Sequence, residues 1–314
     1  MEKILLIGAG PMAIAYAEVL KEMGRKYVVV TRSEKSASSF NEKTGVLPVV
    51  GGLSTFLETN QIEENTLAII ATGTEQLLPN LLLLIDSGIE RVLIEKPAAI
   101  SIEELLNHEV KLSDFSNKTF VAYNRRFYSS VIESQRLIKE DGGLLSAHFE
   151  FTEWSHKIEP LEKAPGVKNN WFFANSTHVI DLAFFIAGKP TEWAAFSKQG
   201  TLSWHNKSYF SGAGITENGV LFSYLSNWES AGRWSVELLT AKRRIYLKPL
   251  EGIEIQEKGT ISLNAYDFDD SLDKKFKPGV YLQLKAFLSG DNSRLIDCTE
   301  HIASCKDIYK RMLL

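Results

Sequence analysis

The chain has 314 residues, 44% hydrophobic and 24% charged, with two cysteines and a net charge of −4. This profile excludes collagen-like, disordered and disulfide-scaffold classes, and the length suits two domains of roughly 100–200 residues each. Charge is mild throughout, −5 over residues 1–123 and +1 over 124–314, so neither part is a basic field for nucleic acid or anionic lipid.

Lys3–Ile7 is a near-continuous apolar run, as in a parallel strand buried on both faces. A turn follows at Gly8–Pro11, then helical spacing over Ala13–Met23, stopping at Gly24. Tyr27–Val30, Leu67–Ala71, Arg91–Ile94 and Phe120–Tyr123 read as further strands. Leu77–Ser87 and Ile102–His108 read as helices, the second capped by Ser101 with Glu104 in the capping-box position. Strand alternating with helix predicts an α/β fold with a doubly wound parallel sheet of the Rossmann kind.

The pattern changes after Arg125. Arg126–Lys139 reads as one helix, Ser146–Glu153 alternates, and His178–Ala187 is helical up to Gly188. Strands are then predicted at Ala194–Ser197, Ser208–Ala213, Val220–Trp228, Trp234–Leu239, Arg244–Leu247 and Gly252–Gln256, with closing helices at Gly279–Leu288 and Thr299–Leu314. The expectation is a second, α+β domain with a large, mostly antiparallel open sheet. The boundary falls near residue 123, giving domains 1–123 and 124–314, with the last helix packing against either. All six tryptophans lie between Trp154 and Trp234, so the two halves are built differently.

Ile4–Ala17 ends in Ala15-Tyr16-Ala17, which mimics an export cleavage site. Glu2, Gly8, Gly10 and Pro11 interrupt that pattern, so strand, turn and helix is the better reading. No apolar run reaches the roughly 18–20 residues of a membrane span. Cys298 and Cys305 are seven apart in a helical segment, about 10 Å of rise and too far for a disulfide. A cytoplasmic protein is expected.

Gly8-Ala9-Gly10-Pro11-Met12-Ala13 is a G-x-G-x-x-A fingerprint that follows a strand and opens a helix. Gly8 permits the tight turn, Gly10 lets the backbone approach a pyrophosphate, and Ala13 allows close helix–strand packing. The helix N-terminus offers free N–H groups to phosphate. An NAD site usually carries an acid at the end of the second strand. Here Thr31-Arg32-Ser33-Glu34-Lys35 occupies that place. Arg32 can fork onto a 2′-phosphate, with Ser33 and Lys35 as further donors, so NADP(H) is favoured and NAD(H) stays open. No histidine, cysteine and carboxylate spacing suggests a metal.

The fingerprint, Ala71-Thr72-Gly73-Thr74, Ile94-Glu95-Lys96-Pro97, Tyr123-Asn124-Arg125-Arg126-Phe127 and His178-Val179-Ile180-Asp181 together resemble the Gfo/Idh/MocA family. The resemblance spans nearly the whole chain. It implies NAD(P)-dependent oxidation or reduction of a sugar, cyclitol or related carbonyl, with the open sheet used for a homodimer or homotetramer. It places Ala71, Thr72, Gly73, Thr74, Glu95, Lys96 and Pro97 at the cofactor, with Lys96 beside the nicotinamide and Pro97 shaping the turn, and gives His178 an acid/base or substrate-binding role. A lysine also suits the chemistry directly, because hydride transfer at carbon must be matched by proton transfer at its oxygen. His178 can share that proton.

Asn124, Arg125 and Arg126 follow the last strand of the first domain. One arginine is expected to face substrate and the other to form a structural ion pair; the sequence leaves open which. Trp171, Asn175, Thr177 and Asp181 are further candidates for substrate contact, and Arg233 and Trp234 weaker ones. Two positions depart from the family. Ala174 stands where many members have an aspartate, and Leu77 where relatives often have histidine. Three readings follow: an oxidoreductase on a modified or nucleotide-linked sugar for a surface polysaccharide, a nucleotide-binding sensor that no longer catalyses, or a reductase of an imine, tetrapyrrole or dihydrodiol.

Overall fold

The structure, a computed structural model, describes residues 3–314. The chain begins β1 (Lys3–Ile7), α1 (Pro11–Glu22), β2 (Tyr27–Thr31), α2 (Glu34–Thr44), β3 (Val49–Val50), α3 (Gly52–Thr59), β4 (Thr66–Ile70) and α4 (Leu77–Asp86). Next come β5 (Arg91–Glu95), α5 (Ile102–Asn107), α6 (Glu109–Asp114), β6 (Thr119–Ala122), α7 (Ser129–Glu140), β7 (Ser146–Glu150), α8 (Ser155–Ile158) and α9 (Thr177–Ala187). Strands β8 (Pro190–Lys198), β9 (Tyr209–Thr216), β10 (Leu221–Asn227), β11 (Ser235–Leu239), β12 (Arg243–Leu247), β13 (Glu254–Glu257) and β14 (Asn264–Ala265) follow. The chain closes with α10 (Ser271–Lys275), α11 (Val280–Ser289), β15 (Ile296–Asp297), α12 (Cys298–Ser304) and α13 (Lys310–Leu313). Two compact units result, one of Met1–Tyr123 with Val280–Ala303, the other of Asn124–Gly279 with Ser304–Leu314.

The first unit is a Rossmann-type α/β layer structure. Its seven-stranded sheet runs β15-β6-β5-β4-β1-β2-β3, and every pair is parallel except the edge pair of β15 with β6. Ile4–Ile7, Leu67–Ile70 and Val92–Ile94 are all buried, because helices cover both faces and leave no solvent side to alternate with. Ser101 Oγ accepts from Glu104 N at 3.1 Å, and Glu104 Oε2 accepts from Ile100 N at 2.7 Å, so α5 has its reciprocal cap.

Two features differ from the sequence expectation. Residues 280–303 lie in the first unit, not with the second domain. Helix α11 buries Val280, Gln283, Leu284 and Phe287. Phe287 meets Phe120 edge-on at 6.4 Å, and Arg91 lies over both rings. Residues 32–65 also hold α2, β3 and α3, where no element was predicted. α2 buries only Ala37 and Phe40, so its sequence shows almost no apolar periodicity.

The second unit is an eight-stranded sheet in the order β14-β13-β12-β11-β7-β10-β9-β8. It is antiparallel except for β7 with β10. One face is packed: Phe149 contacts Phe184 of α9 at 5.5 Å, and Phe151 contacts Phe172 at 5.8 Å. On the other, Phe196, Leu221 and Leu225 are 69%, 60% and 54% exposed. The predicted helix over Arg126–Lys139 is split. Asn124–Phe127 forms a 3₁₀ turn and α7 starts at Ser129, because Tyr128 is extended at φ −62°, ψ 138°. Cys298 and Cys305 are buried and share no disulfide. Among the described residues no helix is long and apolar enough to cross a membrane.

Candidate functional site

In the first unit, the C-terminal ends of β1, β2 and β4 surround a cleft of about 700 Å³. Gly8 sits at φ +114°, and a Cβ there would lie 2.4 Å from Ala71 O. Only glycine lets β1 turn so tightly against β4. A Cβ on Gly10 would meet nothing within 4 Å, so this glycine opens onto the cleft. Pro11 starts α1 at a position where its missing N–H costs nothing. Ala13 is fully buried against the sheet. Thr72 Oγ1 lines the cleft, is shielded from water, and has no hydrogen-bond partner among the described residues. A shielded hydroxyl of that kind is costly unless a ligand completes it. The cleft therefore fits a dinucleotide: a helix N-terminus, a bare glycine and an orphan donor meet in one cavity.

Of the predicted cofactor residues, Gly8, Gly10, Pro11, Met12, Thr31, Arg32, Ser33, Ala71, Thr72 and Gly73 line this cleft; Ala13, Lys35, Thr74, Glu95, Lys96 and Pro97 do not. Ser36, Gly52, Leu53 and Asn80 line it unforeseen. Thr31 is buried, and no acid stands at the end of β2. The Arg32 side chain is 67% exposed, with Glu75 Oε1 at 3.8 Å. Ser33 Oγ caps α2, accepting from Ser36 N at 3.3 Å and donating to Ser36 Oγ at 2.9 Å.

The Glu95-Lys96-Pro97 turn is held from both sides. Tyr16 donates to Glu95 Oε1 at 2.7 Å; burial and that carboxylate raise the Tyr16 phenol well above its ordinary value. Nε2 of the buried His301 lies 3.0 Å from Pro97 O. The Lys96–Pro97 peptide is cis, and Ala98 N closes the turn on Glu95 O at 3.1 Å. Lys96, between these anchors, is half-buried.

In the second unit the two arginines part company. Arg126 and Asp181, both buried, make a two-pronged pair: Nε to Oδ2 at 2.9 Å and Nη2 to Oδ1 at 2.7 Å. Asn124 Nδ2 donates to Pro278 O at 2.9 Å, and Thr177 Oγ1 to Phe173 O at 2.8 Å. These four side chains knit the fold. Arg125 instead lies over Trp234, 4.7 Å from the ring centre. Arg233 lies over the same indole at 4.5 Å, and His178 meets it at 6.0 Å. Trp171 packs edge-on against Trp204 at 6.3 Å.

Glu153 was not foreseen. It is 1% exposed. Both its oxygens accept from Asn175 Nδ2 at 3.0 Å, Oε1 accepts from Ser176 Oγ at 2.8 Å, and Arg233 Nη1 is 3.7 Å from Oε2. Burial pushes this carboxyl up from its ordinary value, against Ser176, Arg233, Asn175 and Trp171, which hold it down. A π-helical turn over Phe172–Ser176 presents Asn175 and Ser176 to it together. The alternation carried the signal. Ala147, Phe149 and Phe151 point inward, so Glu153, in the same phase, points inward too. Among the described residues no group of three or more His, Cys, Asp or Glu is placed to hold a metal.

No protein-family model matches the chain, and no curated protein matches it by sequence. Solved structures do match. Levoglucosan dehydrogenase in complex with NADH and L-sorbose superposes with a TM-score of 0.75 at 15% identity, over 99% of this chain and 96% of that one. An oxidoreductase from Agrobacterium radiobacter, with NAD+, L-tartaric acid and magnesium, gives 0.72 at 14%, with the same coverage. The WlbA dehydrogenase from Bordetella pertussis, with NADH and UDP-GlcNAcA, gives 0.71 at 15%, again over 99% and 96%. The chain thus shares its fold, end to end, with three dinucleotide-bound oxidoreductases.

Proposed function

We propose that the chain is an NAD(P)-dependent oxidoreductase of the Gfo/Idh/MocA type, moving a hydride between a nicotinamide cofactor and a hydroxyl or carbonyl of a sugar-like or cyclitol substrate. The observation that carries this reading is the cleft at the start of α1, where Gly8 admits no side chain, Gly10 opens inward and Thr72 keeps a shielded hydroxyl with no hydrogen-bond partner among the described residues. The neighbours bound to NAD+ or NADH with a sugar, a small acid or a nucleotide sugar support it. A modified or nucleotide-linked sugar and a cytoplasmic setting belong to the same reading.

The cofactor, when bound, supplies the hydride chemistry. The α1 N-terminus and the glycine turn hold its pyrophosphate. Lys96 takes the proton from the substrate hydroxyl during oxidation and returns it during reduction, and His178, in the second unit, is the other acid/base candidate. Position 174 lacks the carboxylate usual in the family, but Glu153 brings one to the next two residues, Asn175 and Ser176. That supply favours a working catalyst over a nucleotide-binding sensor.

We assign Arg32 to a 2′-phosphate, and NADP(H) as the preferred cofactor. Its pairing with Glu75 at 3.8 Å is solvent-exposed, and such pairs contribute about 0–1 kcal/mol, less than a forked phosphate contact returns. Fluorescence titration should show NADPH binding at least about tenfold tighter than NADH, a difference of about 1.4 kcal/mol, with Arg32→Ser closing the gap. Tighter binding of NADH contradicts the assignment, and no binding of either cofactor removes the oxidoreductase reading itself.

The open sheet face supports self-association. Phe196 and Leu225 flank Ser211 in register on neighbouring strands, and both are exposed. Sedimentation velocity over a hundredfold concentration range should show a homodimer or homotetramer; a monomer throughout overturns this assembly.

A further inference from the structure

The cluster around Trp234 carries cationic groups that its carboxylates do not match. Arg125 is mostly buried, and its Nε is shielded from water with no acceptor among the described residues. Its guanidinium lies over two rings, Trp234 at 4.7 Å and Tyr128 at 5.9 Å. Four groups act on it through space: Tyr128, Glu251 and Glu153 favour its charge, and Arg233 opposes it. None of the three brings an acceptor into contact. Glu251 acts on Arg125 through space alone. Glu153 serves Asn175 and Ser176 and lies 3.7 Å from Arg233. Burial lowers the Arg125 guanidinium and raises the Glu153 carboxyl, so both shifts signal incompletely compensated ions.

Leaving a guanidinium fork partly dehydrated and unpaired is expensive unless something arrives to fill it. The neighbouring Arg126 shows what the fold does when a structural role is wanted, with a two-pronged carboxylate at 2.7 and 2.9 Å. Resting on the oxidoreductase reading, we infer that Arg125, backed by Arg233 on the shared Trp234 ring, is a subsite for an oxyanion carried by the substrate, so that the enzyme takes an acidic sugar. A carboxylate or a phosphate presents the planar or tetrahedral oxygens that a guanidinium grips in two places. A hydroxyl offers no such match. The second arginine raises the local potential and adds specificity for the anion.

Titration of the protein with D-glucuronate, D-glucose 6-phosphate and D-glucose, followed by tryptophan fluorescence, tests this. At least one acidic sugar should bind about tenfold or more tightly than D-glucose, a margin of about 1.4 kcal/mol. The stronger acid identifies which oxyanion the subsite takes. Arg125→Gln should bring the ratio of dissociation constants close to one. Arg125→Lys, which keeps the charge without the fork and serves where the glutamine variant fails to fold, should leave it intermediate. The wild-type ratio should also shrink between about 50 mM and about 500 mM salt. Equal or weaker binding of both acids than of D-glucose, or no binding of any of the three, overturns the subsite, as does a ratio untouched in both variants. Failure of NADPH to bind in the separate cofactor titration would instead remove the oxidoreductase reading, so the two failures are told apart.

Discussion

Lys96→Met should reduce turnover by about two to four orders of magnitude, the range removed with a positioned acid/base group, while the affinity for NADPH stays close to wild type. Lys96 sits in a turn whose neighbours are fixed from outside it, Glu95 by the Tyr16 hydroxyl and Pro97 by His301. Its backbone position therefore does not depend on its own side chain. Methionine keeps the length and the apolar stem and removes only the titratable head. Nor does Lys96 line the cleft at the start of α1, so dinucleotide affinity should survive. Single-turnover absorbance at the NADPH band separates the two quantities. A variant with wild-type turnover would deny Lys96 the proton, and loss of cofactor affinity in step with turnover would reduce it to a binding residue.

The cleft at the start of α1 was legible before the structure because its determinants are local. A glycine turn between a strand and a helix is written in consecutive residues, and Gly8, Gly10 and Thr72 line one cavity accordingly. The strands of the first sheet were legible because burial on both faces makes them continuous apolar runs. α2 was not, since it packs through only Ala37 and Phe40 and is otherwise solvated. Nor was the return of α11 to the first unit, which depends on contacts of Phe287 with Phe120 and Arg91, far away in the chain.

The cluster around Trp234 was harder to read for a different reason. Chemistry identified Arg125 and Arg126 as a pair but could not divide them, because the division depends on which one finds Asp181, 55 positions away from Arg126. Glu153 lay in plain view of the strand alternation. Its importance comes from Asn175, Ser176 and Arg233, supplied by two other segments.

The division of the arginines carries the second large expectation. Asp181→Ala should destabilise the protein by about 3–5 kcal/mol, measured by urea unfolding followed through tryptophan fluorescence, because it strands the buried Arg126 charge. Both side chains are nearly closed to solvent, at 8% and 4%, so water cannot replace the lost carboxylate. Arg126 also lies 4.6 Å from the Phe185 ring. The pair itself is a different matter. Much of the attraction between the two ions repays their desolvation, so replacing both by apolar residues of similar size, Arg126→Met with Asp181→Leu, should cost far less than Asp181→Ala alone and fall near neutral. A single variant that loses less than about 1 kcal/mol would show that the pair is solvated in solution. If the double variant were as unstable as the single, the geometry of the pair, and not its charge balance, would be what α9 requires.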